Sequence, residues 1–344
     1  MRVGVIGGGQ LAQMLAEAAI PMGIKLHFLV PSLDCPVSRV AEVEVGDYRD
    51  PEVLQAWVSG LDVLTYESEN TEISVLENLT LKIHPPLQAL KITQDRYQEK
   101  SFANALQIPT APFKLIDSFH TLKLAVETLG FPTVLKTCRG GYDGKGQFVL
   151  NNEADLEPAW NALSLAGTCV LESFLKFDRE LSLIGVRSEQ GEVTYYPLIE
   201  NHHSAGILRE SKAPFDDPQL ENLAQLYAGK MMDALNYVGV ICLEFFQQGE
   251  QLILNEVAPR VHNSGHWTIE GATTSQFENH LRAILGLKLG STESRGSSKM
   301  INYIGEWPAD RPVREGYYWH DYGKEPKVGR KLGHLTIVSG KWYV

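Results

Sequence analysis

The glycine-rich segment at residues 136–150, KTCRGGYDGKGQFVL, constrains the fold of this chain more than any other stretch. Its glycines separate two short apolar runs, which predict strands over 133–136 and 147–150. A loop of this composition cannot form a helix, but it lets backbone N–H groups turn toward an anion. Because Lys136 and Lys145 add positive charge, the segment predicts a nucleoside triphosphate site. The alternative is an ordinary glycine-rich hairpin with surface lysines.

The segment is not a P-loop. It joins a strand to a strand instead of a strand to a helix, and Gly146 follows Lys145 where a P-loop carries Ser or Thr for magnesium. The sequence therefore predicts a triphosphate site of a different architecture.

Composition and charge set the broad class of the protein. The chain has 344 residues, 44% of them hydrophobic and 21% charged, which is enough for two or three domains with apolar cores. A formal net charge of -11 argues against nucleic acids and membrane surfaces as partners, so local basic patches must attract any anionic substrate. The four cysteines form no CxxC motif and are expected to be reduced. Without a signal peptide or an apolar run of membrane-spanning length, we expect a cytoplasmic protein.

Strands and helices alternate in the first third of the chain. Apolar runs predict strands over 3–6, 26–30 and 63–66, with a helix at 11–19 between the first two. Asp50 and the following proline predict the start of a further helix. This alternation predicts a doubly wound domain with a parallel sheet, which ends near residue 90.

The middle of the chain mixes strands and helices, and the last part has short strands and many glycines. A turn at 247–250 joins two predicted strands into a hairpin. The predicted elements are helices over 95–106, 117–129 and 274–285 and strands over 237–246 and 251–257. The overall fold class is therefore α/β together with α+β.

The first glycine cluster, Gly7-x-Gly9-x-x-Ala12, is a weak match to the dinucleotide-binding fingerprint. In an NAD site an acidic residue ends the second strand and binds the ribose, whereas here that strand ends at Val30. We therefore expect the helix N-terminus at Gln10 to bind some other phosphate or sugar. The alternative is a tight turn without a ligand.

Two glutamates stand nearly alone in apolar strands. Glu244 and Glu256 lie on the two strands of the predicted hairpin, so their carboxylates can approach each other. Neighbouring carboxylates repel unless a cation lies between them, and oxygen ligands near a triphosphate suit magnesium. The alternative is a pair of exposed strand charges.

Two further segments are dense in hydrogen-bond donors. The loop at 259–267 contains Arg260, His262 and His266, which suit anion binding or proton transfer better than zinc, because no third ligand is present. The segment at 322–334 is basic within an acidic chain and indicates a phosphate site. The alternatives are buried histidines with satisfied hydrogen bonds and a solvated loop.

Taken together, the motifs resemble those of the N5-carboxyaminoimidazole ribonucleotide synthases, the ATP-grasp carboxylating ligases of bacterial and fungal purine synthesis. The resemblance runs from Gly7 to His334, with GGYDGKGQ at 140–147, NEVAPRVHNSGHW at 255–267 and GRKLGH at 329–334 as its specific motifs. It implies a homodimer with an ATP-grasp fold. The implied domains are an N-terminal Rossmann-like, biotin-carboxylase-like domain over 1–92, an ATP-grasp domain over 93–286 with a lid near 137–205, and a small β-rich C-terminal domain over 287–344.

The resemblance also implies the chemistry. ATP phosphorylates bicarbonate to carboxyphosphate, which decays to CO2 beside the exocyclic amine of 5-aminoimidazole ribonucleotide. Glu244 and Glu256 are the implied ligands of Mg2+, with Mn2+ as an alternative. The implied ATP contacts are Arg96, Lys136, Gly141, Tyr142, Asp143, Gly144, Lys145, Gly146, Gln147, Glu172, Ser173, Phe174, Leu175, Glu180, His203, Asn255 and Glu256.

The remaining implied roles concern the ribonucleotide and bicarbonate. Arg260, with His262 or His266, is the implied site for bicarbonate and carboxyphosphate, and Tyr142 and Asp143 are the other implied catalytic residues. The loop around 141–146 is expected to close over ATP and exclude water. The implied contacts of the ribonucleotide are Gln10, Leu11, Glu67, Asn263, Lys324, Arg330 and Lys331.

Three features depart from the family pattern. Cys138 stands where family members usually carry arginine, so a phosphate contact from that position is lost. Ala258 stands where many ATP-grasp enzymes place an asparagine metal ligand, which matches this subgroup and leaves one coordination position to water. The family usually continues into a C-terminal helix, whereas this sequence ends at Val344, so we expect a shortened last domain.

Three other functions compete with this one. The nearest is the formate-dependent glycinamide ribonucleotide transformylase, which shares the acyl-phosphate strategy but not the motifs at 140–147 and 255–267. An NAD-dependent oxidoreductase would need an acidic residue at the end of the second strand, and that residue is missing. A non-catalytic nucleotide sensor would not need Glu244 and Glu256 together.

Overall fold

Three β-sheets organise the residues described by the computed structural model, which are 1–141 and 146–340. The first is parallel, with strand order β3-β2-β1-β4-β5, and helices cover both of its faces. The predicted doubly wound domain is confirmed. Its elements are β1 (Val3–Ile6), α1 (Gln10–Ala19), β2 (Leu26–Val30), β3 (Val43–Val45), α2 (Pro51–Trp57), β4 (Val63–Tyr66), α3 (Ile73–Leu76), β5 (Lys82–Ile83) and α4 (Leu87–Thr93).

The second sheet is antiparallel, with strand order β6-β9-β7-β8, and it carries the glycine-rich loop between β7 and β8. Leu122 of α6 and Leu163 of α7 pack with Leu135 in the apolar layer that covers it. Helix α5 precedes this sheet. The elements are α5 (Arg96–Ala105), β6 (Phe113–Ile116), α6 (Phe119–Leu129), β7 (Thr133–Thr137), β8 (Gln147–Leu150), α7 (Leu156–Leu163) and β9 (Cys169–Ser173).

The third sheet is the largest, with strand order β15-β14-β10-β12-β13-β16-β18-β17 and β11 paired to β10. Because β13 pairs with β16, the β-rich last part of the chain continues this sheet edge to edge. Its elements are β10 (Arg179–Arg187), β11 (Val193–Tyr195), β12 (Ile199–Ser204), β13 (Ile207–Ala213), α8 (Pro218–Ala234), β14 (Gly239–Gln248), β15 (Gln251–Ala258), α9 (Thr268–Gly271), α10 (Gln276–Ile284), β16 (Ser297–Ile304), β17 (Tyr317–Asp321) and β18 (Lys331–Ser339).

The helix starts follow the expected capping chemistry. The side chains of Asp50 and Ser118 accept hydrogen bonds from the first turns of α2 and α6, as the sequence predicts. None of the helices in the described part of the chain combines the length and the apolar character that crossing a membrane requires.

The hairpin of β14 and β15 is tighter than predicted. The strands remain paired as far as Gln248 and Gln251, so the turn consists of Gly249 and Glu250 and does not extend over 247–250. Gly249 adopts a φ of 57°, which glycine tolerates and which closes the short turn. The extra pairing fixes the register of the strands that carry the two glutamates.

Candidate active site

Glu244 and Glu256 are direct cross-strand partners on β14 and β15. Their side chains therefore leave the same face of the sheet, and the structure brings the two carboxylates together as the predicted hairpin requires. The register shifts between Glu244 and Phe245, so that Asn255 of β15 is an extra residue next to Glu256, as in a β-bulge. Glu244 is 8% exposed, whereas the side chain of Glu256 is open to solvent.

The two carboxyl groups have opposite pKa shifts. Burial would raise the pKa of Glu244, but the charge of His262, whose Nε2 lies 2.9 Å from Glu244 Oε1, lowers it below its usual range. The protein around the Glu256 carboxyl group partly removes it from water, and this desolvation raises its pKa. The charge of Glu244 raises that pKa further. A second negative charge is therefore costly here without a nearby cation.

This pair fits a divalent cation that takes its other ligands from elsewhere. Among residues 1–141 and 146–340, no group of three or more His, Cys, Asp or Glu side chains has the geometry of a metal site. Two hard carboxylate ligands are nevertheless typical of Mg2+ sites, in which phosphate oxygens and water complete the coordination.

A buried cluster of two lysines and one glutamate adjoins the strand that carries Glu256. Glu172 Oε2 lies 3.0 Å from Lys136 Nζ and 3.3 Å from Lys100 Nζ. Lys100, which is 2% exposed, also donates to the carbonyl oxygen of Asn255 at 3.1 Å. Because Asn255 precedes Glu256, this contact joins the lysine cluster to the candidate metal site.

The cluster carries a net positive charge. Burial lowers the pKa of Lys136, although Glu172 opposes the shift. Burial raises the pKa of Glu172, but Lys100 and Lys136 outweigh it and lower that pKa overall. Glu172 Oε1 is buried and has no hydrogen-bond partner among the described residues. Sequence reasoning missed Lys100; the available signal was its position four residues after Arg96 on the same helix face.

Arg96 holds the base of the glycine-rich loop. Its Nη1 donates to the carbonyl oxygen of Thr137 at 2.9 Å, and its Nη2 donates to that of Gly141 at 2.7 Å. At the far end, Gly146 has a φ of 71°, and a Cβ there would lie 2.8 Å from Thr137 Oγ1. The predicted site residues Tyr142, Asp143, Gly144 and Lys145 lie outside the described residues.

Glu180 and His203 form a pair on neighbouring strands. His203 Nδ1 lies 2.7 Å from Glu180 Oε2, and the backbone N–H of His203 donates to the same oxygen at 3.3 Å. Burial lowers the pKa of His203, but Glu180, Glu244 and Glu256 together raise it above its usual value. Glu180 lies two residues before Ser182, the cross-strand partner of Glu244, so the Glu180–His203 pair lies on the same face of the sheet as Glu244.

The segment after β9 uses two of its backbone donors within the protein. Ser173 N–H donates to the carbonyl oxygen of Pro112 at 2.9 Å, and Phe174 N–H donates to that of Pro132 at 3.1 Å. The Phe174 ring is 45% exposed. These bonds fix the predicted adenine-binding segment, which continues to Leu175, against the second sheet.

Arg260 is already engaged by a carboxylate. Its Nη2 donates to Glu69 Oε1 at 2.8 Å, and its Nε contacts the other oxygen of Glu69. Burial would raise the pKa of Glu69, but Arg260 lowers it to about 2. The guanidinium predicted to bind bicarbonate therefore has two of its donors held by Glu69, a partner that sequence reasoning missed.

The neighbouring loop residues occupy different environments. His266 is 1% exposed and packs against Phe277 and His334, and burial keeps its pKa well below the usual value. The structure thus places His266 in a buried aromatic layer, while His262 contacts Glu244. Both side-chain amide atoms of Asn263 are buried without a partner in the described part of the chain, as suits a residue that contacts a ligand.

The helix N-terminus at Gln10 is filled by the protein itself. Gly9 N–H and Ala12 N–H donate to the two carboxylate oxygens of Glu67 at 2.5 and 3.0 Å. A Cβ at Gly9 would lie 2.8 Å from Glu67 Oε1, so the glycine makes room for this carboxylate. Glu67 therefore takes up the N–H groups of Gly9 and Ala12, and the expectation that the helix N-terminus at Gln10 binds a phosphate or sugar stays a prediction.

A cavity of about 450 Å³ lies beside this cap, and Lys324 is part of its lining. Lys324 Nζ donates to Gln10 Oε1 at 2.7 Å, while Leu11 packs against the apolar core below. Burial lowers the pKa of Lys324; Glu67 opposes this, and Arg330 and Lys331 add to it. Arg330 and Lys331 are therefore near enough to act on Lys324, and of these three cations Lys324 is the one that lines the cavity.

Comparisons with known proteins agree along nearly the whole chain. Family models match residues 1–94 (ribonucleotide synthetase preATP-grasp domain), 101–277 (ATP-grasp domain) and 298–342 (phosphoribosylaminoimidazole carboxylase C-terminal domain). The chain is 45% identical to the N5-carboxyaminoimidazole ribonucleotide synthase of Pseudomonas aeruginosa, over 98% of this chain and 94% of that protein.

Solved structures of similar proteins also superpose on nearly the whole chain. The N5-carboxyaminoimidazole ribonucleotide synthetase of Thermus thermophilus superposes with a TM-score of 0.92 at 47% identity, covering 98% of this chain and 93% of that one. The N5-carboxyaminoimidazole synthase of Aspergillus clavatus, in complex with ADP and 5-aminoimidazole ribonucleotide, superposes with a TM-score of 0.90 at 31% identity, covering 98% and 93%.

Proposed function

The chain belongs to the N5-carboxyaminoimidazole ribonucleotide synthase family, and from this premise we propose how its residues carry out the reaction. The membership confirms the ATP-grasp fold with an N-terminal preATP-grasp domain. The protein is an ATP-dependent carbon–nitrogen ligase that carboxylates 5-aminoimidazole ribonucleotide in purine biosynthesis.

The observation that carries the residue assignment is the pairing of Glu244 with Glu256 beside the lysine cluster. We assign the two carboxylates as ligands of Mg2+, with Mn2+ as an alternative. When bound, the ion would withdraw charge from the phosphates of ATP. Lys136 and Lys100 supply fixed positive charge near the same phosphates.

The other nucleotide contacts follow from the positions of the side chains. Glu180 accepts hydrogen bonds from the ribose hydroxyls, and His203 orients it. The segment from Glu172 to Leu175 borders the adenine. Arg96 acts mainly by holding Thr137 and Gly141, so that the glycine-rich loop can present its N–H groups to the phosphates. Gly146, Gln147 and Asn255 complete the described part of this site.

The acceptor site lies between the first domain and the last. The proposed contacts of the ribose and ring are Gln10, Leu11, Glu67 and Asn263, and those of the 5′-phosphate are Lys324, Arg330 and Lys331. A phosphate there gains from three cations without displacing the Glu67 cap.

Bicarbonate is the proposed carbon source, and carboxyphosphate is the proposed intermediate. We assign bicarbonate to the open side of Arg260 and His262, because Glu69 and Glu244 hold these two cations in fixed orientations. His266 is buried and supports this loop from below. Tyr142 and Asp143 remain predicted catalytic residues.

Three broader assignments are also proposals. The domains are 1–92, 93–286 with a lid near 137–205, and 287–344. The protein acts in the cytoplasm, and it forms a homodimer as the family resemblance implies.

Phosphate release with each substrate omitted in turn tests the proposed function. Release should require ATP, 5-aminoimidazole ribonucleotide and bicarbonate together, and formate should not replace bicarbonate. Equal release with formate and glycinamide ribonucleotide would contradict the assignment of bicarbonate.

A further inference from the structure

A chain of buried hydrogen bonds crosses three strands of the large sheet toward the metal site. Ser211 Oγ on β13 donates to Asn201 Oδ1 on β12 at 2.7 Å. Asn201 Nδ2 donates to Ser182 Oγ on β10 at 2.8 Å, and Ser182 Oγ donates to Ser264 Oγ at 2.9 Å. All four side chains are at most 7% exposed.

This series of hydrogen bonds ends at Glu244. Ser264 Oγ and the backbone N–H of Ser264 lie 2.9 and 3.2 Å from His262 Nδ1. The other ring nitrogen, Nε2, lies 2.9 Å from Glu244 Oε1. The imidazole is thus held at both nitrogens, with Ser264 on one side and Glu244 on the other. Ser182 is also the direct cross-strand partner of Glu244, so both ends of this connection lie on one face of the sheet.

The amide of Asn201 sets the donor-to-acceptor order of these hydrogen bonds. Because its oxygen accepts from Ser211 and its nitrogen donates to Ser182, the hydroxyl hydrogen of Ser182 remains available for Ser264. Buried hydroxyl and amide groups are costly unless they are bonded, and the hydroxyl groups of Ser182 and Ser211 and both polar atoms of the Asn201 amide have partners here. The polar residues are therefore best explained by what they hold in place.

We infer that Ser182 and Asn201 are positioning residues that fix Ser264 and His262 and, through them, the orientation of Glu244 toward a divalent cation. This inference rests on the proposed role of Glu244 as a metal ligand. Without the Ser182 hydroxyl, Ser264 loses its donor, the His262 ring is held less firmly, and Glu244 Oε1 loses a fixed partner.

Mn2+ binding to the full chain in the presence of ADP, measured by electron paramagnetic resonance without turnover, tests the inference. Ser182→Ala should weaken Mn2+ binding by roughly 10-fold or more, as expected for the loss of an outer-shell hydrogen bond. Asn201→Leu, which removes the amide at similar volume, should act in the same direction. In steady-state kinetics both variants should raise the Mg2+ concentration required for half-maximal rate.

Ser211→Ala is the matched control. Ser211 and Ser182 are both 0% exposed and each donates one hydrogen bond within this network, but Ser182 also accepts one from Asn201, so both variants should lower the melting temperature and Ser182→Ala should lower it more. Ser211→Ala leaves the connection from Asn201 to Glu244 intact and should keep Mn2+ affinity within about twofold of wild type.

The outcomes separate the inference from the proposed function. Equal weakening of Mn2+ binding in both serine variants, or none in Ser182→Ala, would overturn the positioning role. Glu244→Gln tests the metal assignment itself: loss of Mn2+ binding there, with normal binding in Ser182→Ala, would leave the assignment standing and remove only the inference. Wild-type binding in Glu244→Gln would overturn both.

Discussion

Glu99 accepts a hydrogen bond from the backbone N–H of Val257 at 2.7 Å, so a carboxyl group of helix α5 lies directly behind the proposed metal ligand Glu256. Glu99 is 3% exposed. Burial raises its pKa to about 8; Lys100 opposes the shift and Glu256 adds to it. The helix thus holds the strand of Glu256 with a group that stays protonated at neutral pH.

Glu99→Gln should alter how stability depends on pH. The folded protein keeps the Glu99 proton up to about pH 8, whereas the unfolded chain releases it near the ordinary value of 4.5. Folding takes up a proton between these values, so this group lowers the free energy of unfolding as pH rises through that window. Relative to Glu99→Gln, wild type should lose roughly 1–3 kcal/mol between pH 5 and pH 8 in urea unfolding. Glu157→Gln, at an exposed site, is the control. A difference that does not change with pH would contradict the prediction.

Arg260→Lys should destabilise the fold although it preserves the charge. Lysine cannot reproduce the two contacts that the guanidinium makes with Glu69, so one oxygen of this carboxylate loses its partner. The free energy of unfolding should fall by about 1–3 kcal/mol. Arg179→Lys makes the same exchange in a partly exposed pair with Glu200 and should change the free energy of unfolding by less than about 1 kcal/mol. Equal losses of unfolding free energy in the two variants would show that the buried Arg260–Glu69 pair stabilises the fold no more than the exposed pair does.

Gly7→Ala should disturb the Glu67 cap. Gly7 has a φ of 112°, and a Cβ there would overlap Glu67, whereas Gly23 has a φ of 66° and nothing within 4 Å. Gly23→Ala should cost about 1 kcal/mol from backbone strain alone, and Gly7→Ala at least about 2 kcal/mol more. Gly7→Ala should also raise the KM for the ribonucleotide. Unfolding curves that coincide for the two variants would contradict the packing argument.

Lys331→Ala should weaken binding of the ribonucleotide and spare ATP. If Lys331 binds the 5′-phosphate with Lys324 and Arg330, its loss should raise the KM for 5-aminoimidazole ribonucleotide roughly 10-fold or more. The KM for ATP should stay within about twofold. Lys327→Ala, at an exposed position nearby, should leave both constants near wild type. A parallel rise in both constants for Lys331→Ala would instead indicate misfolding.

The sequence predicts local structure and the pairing of the two glutamates well. Strand runs at 3–6, 26–30 and 63–66 and the cap at Asp50 coincide with the observed elements, because apolar periodicity and capping act over a few residues. Glu244 and Glu256 could be paired in advance because a short turn joins their strands. Only the extent of that turn was misjudged, since the conformation of Gly249 is set by the hairpin as a whole.

Contacts between distant segments could not be predicted in the same way. Glu67 fills the helix N-terminus from 58 residues beyond Gly9, and Glu69 holds Arg260 across 191 residues. Lys100 on α5 has Glu172 on β9 as its partner, with 3.3 Å between Nζ and Oε2. Each of these partners depends on how sheets and helices assemble, which residue spacing within one segment does not encode.

The central claim is that Glu244 and Glu256 jointly bind the divalent cation of the nucleotide. A crystal structure of the protein with Mn2+ and ADP, analysed by anomalous scattering at the manganese edge, tests it most directly. The account predicts a manganese peak within about 2.3 Å of an oxygen atom from each carboxylate and of a phosphate oxygen. A manganese ion bound to the phosphates with neither carboxylate in its coordination sphere would contradict it.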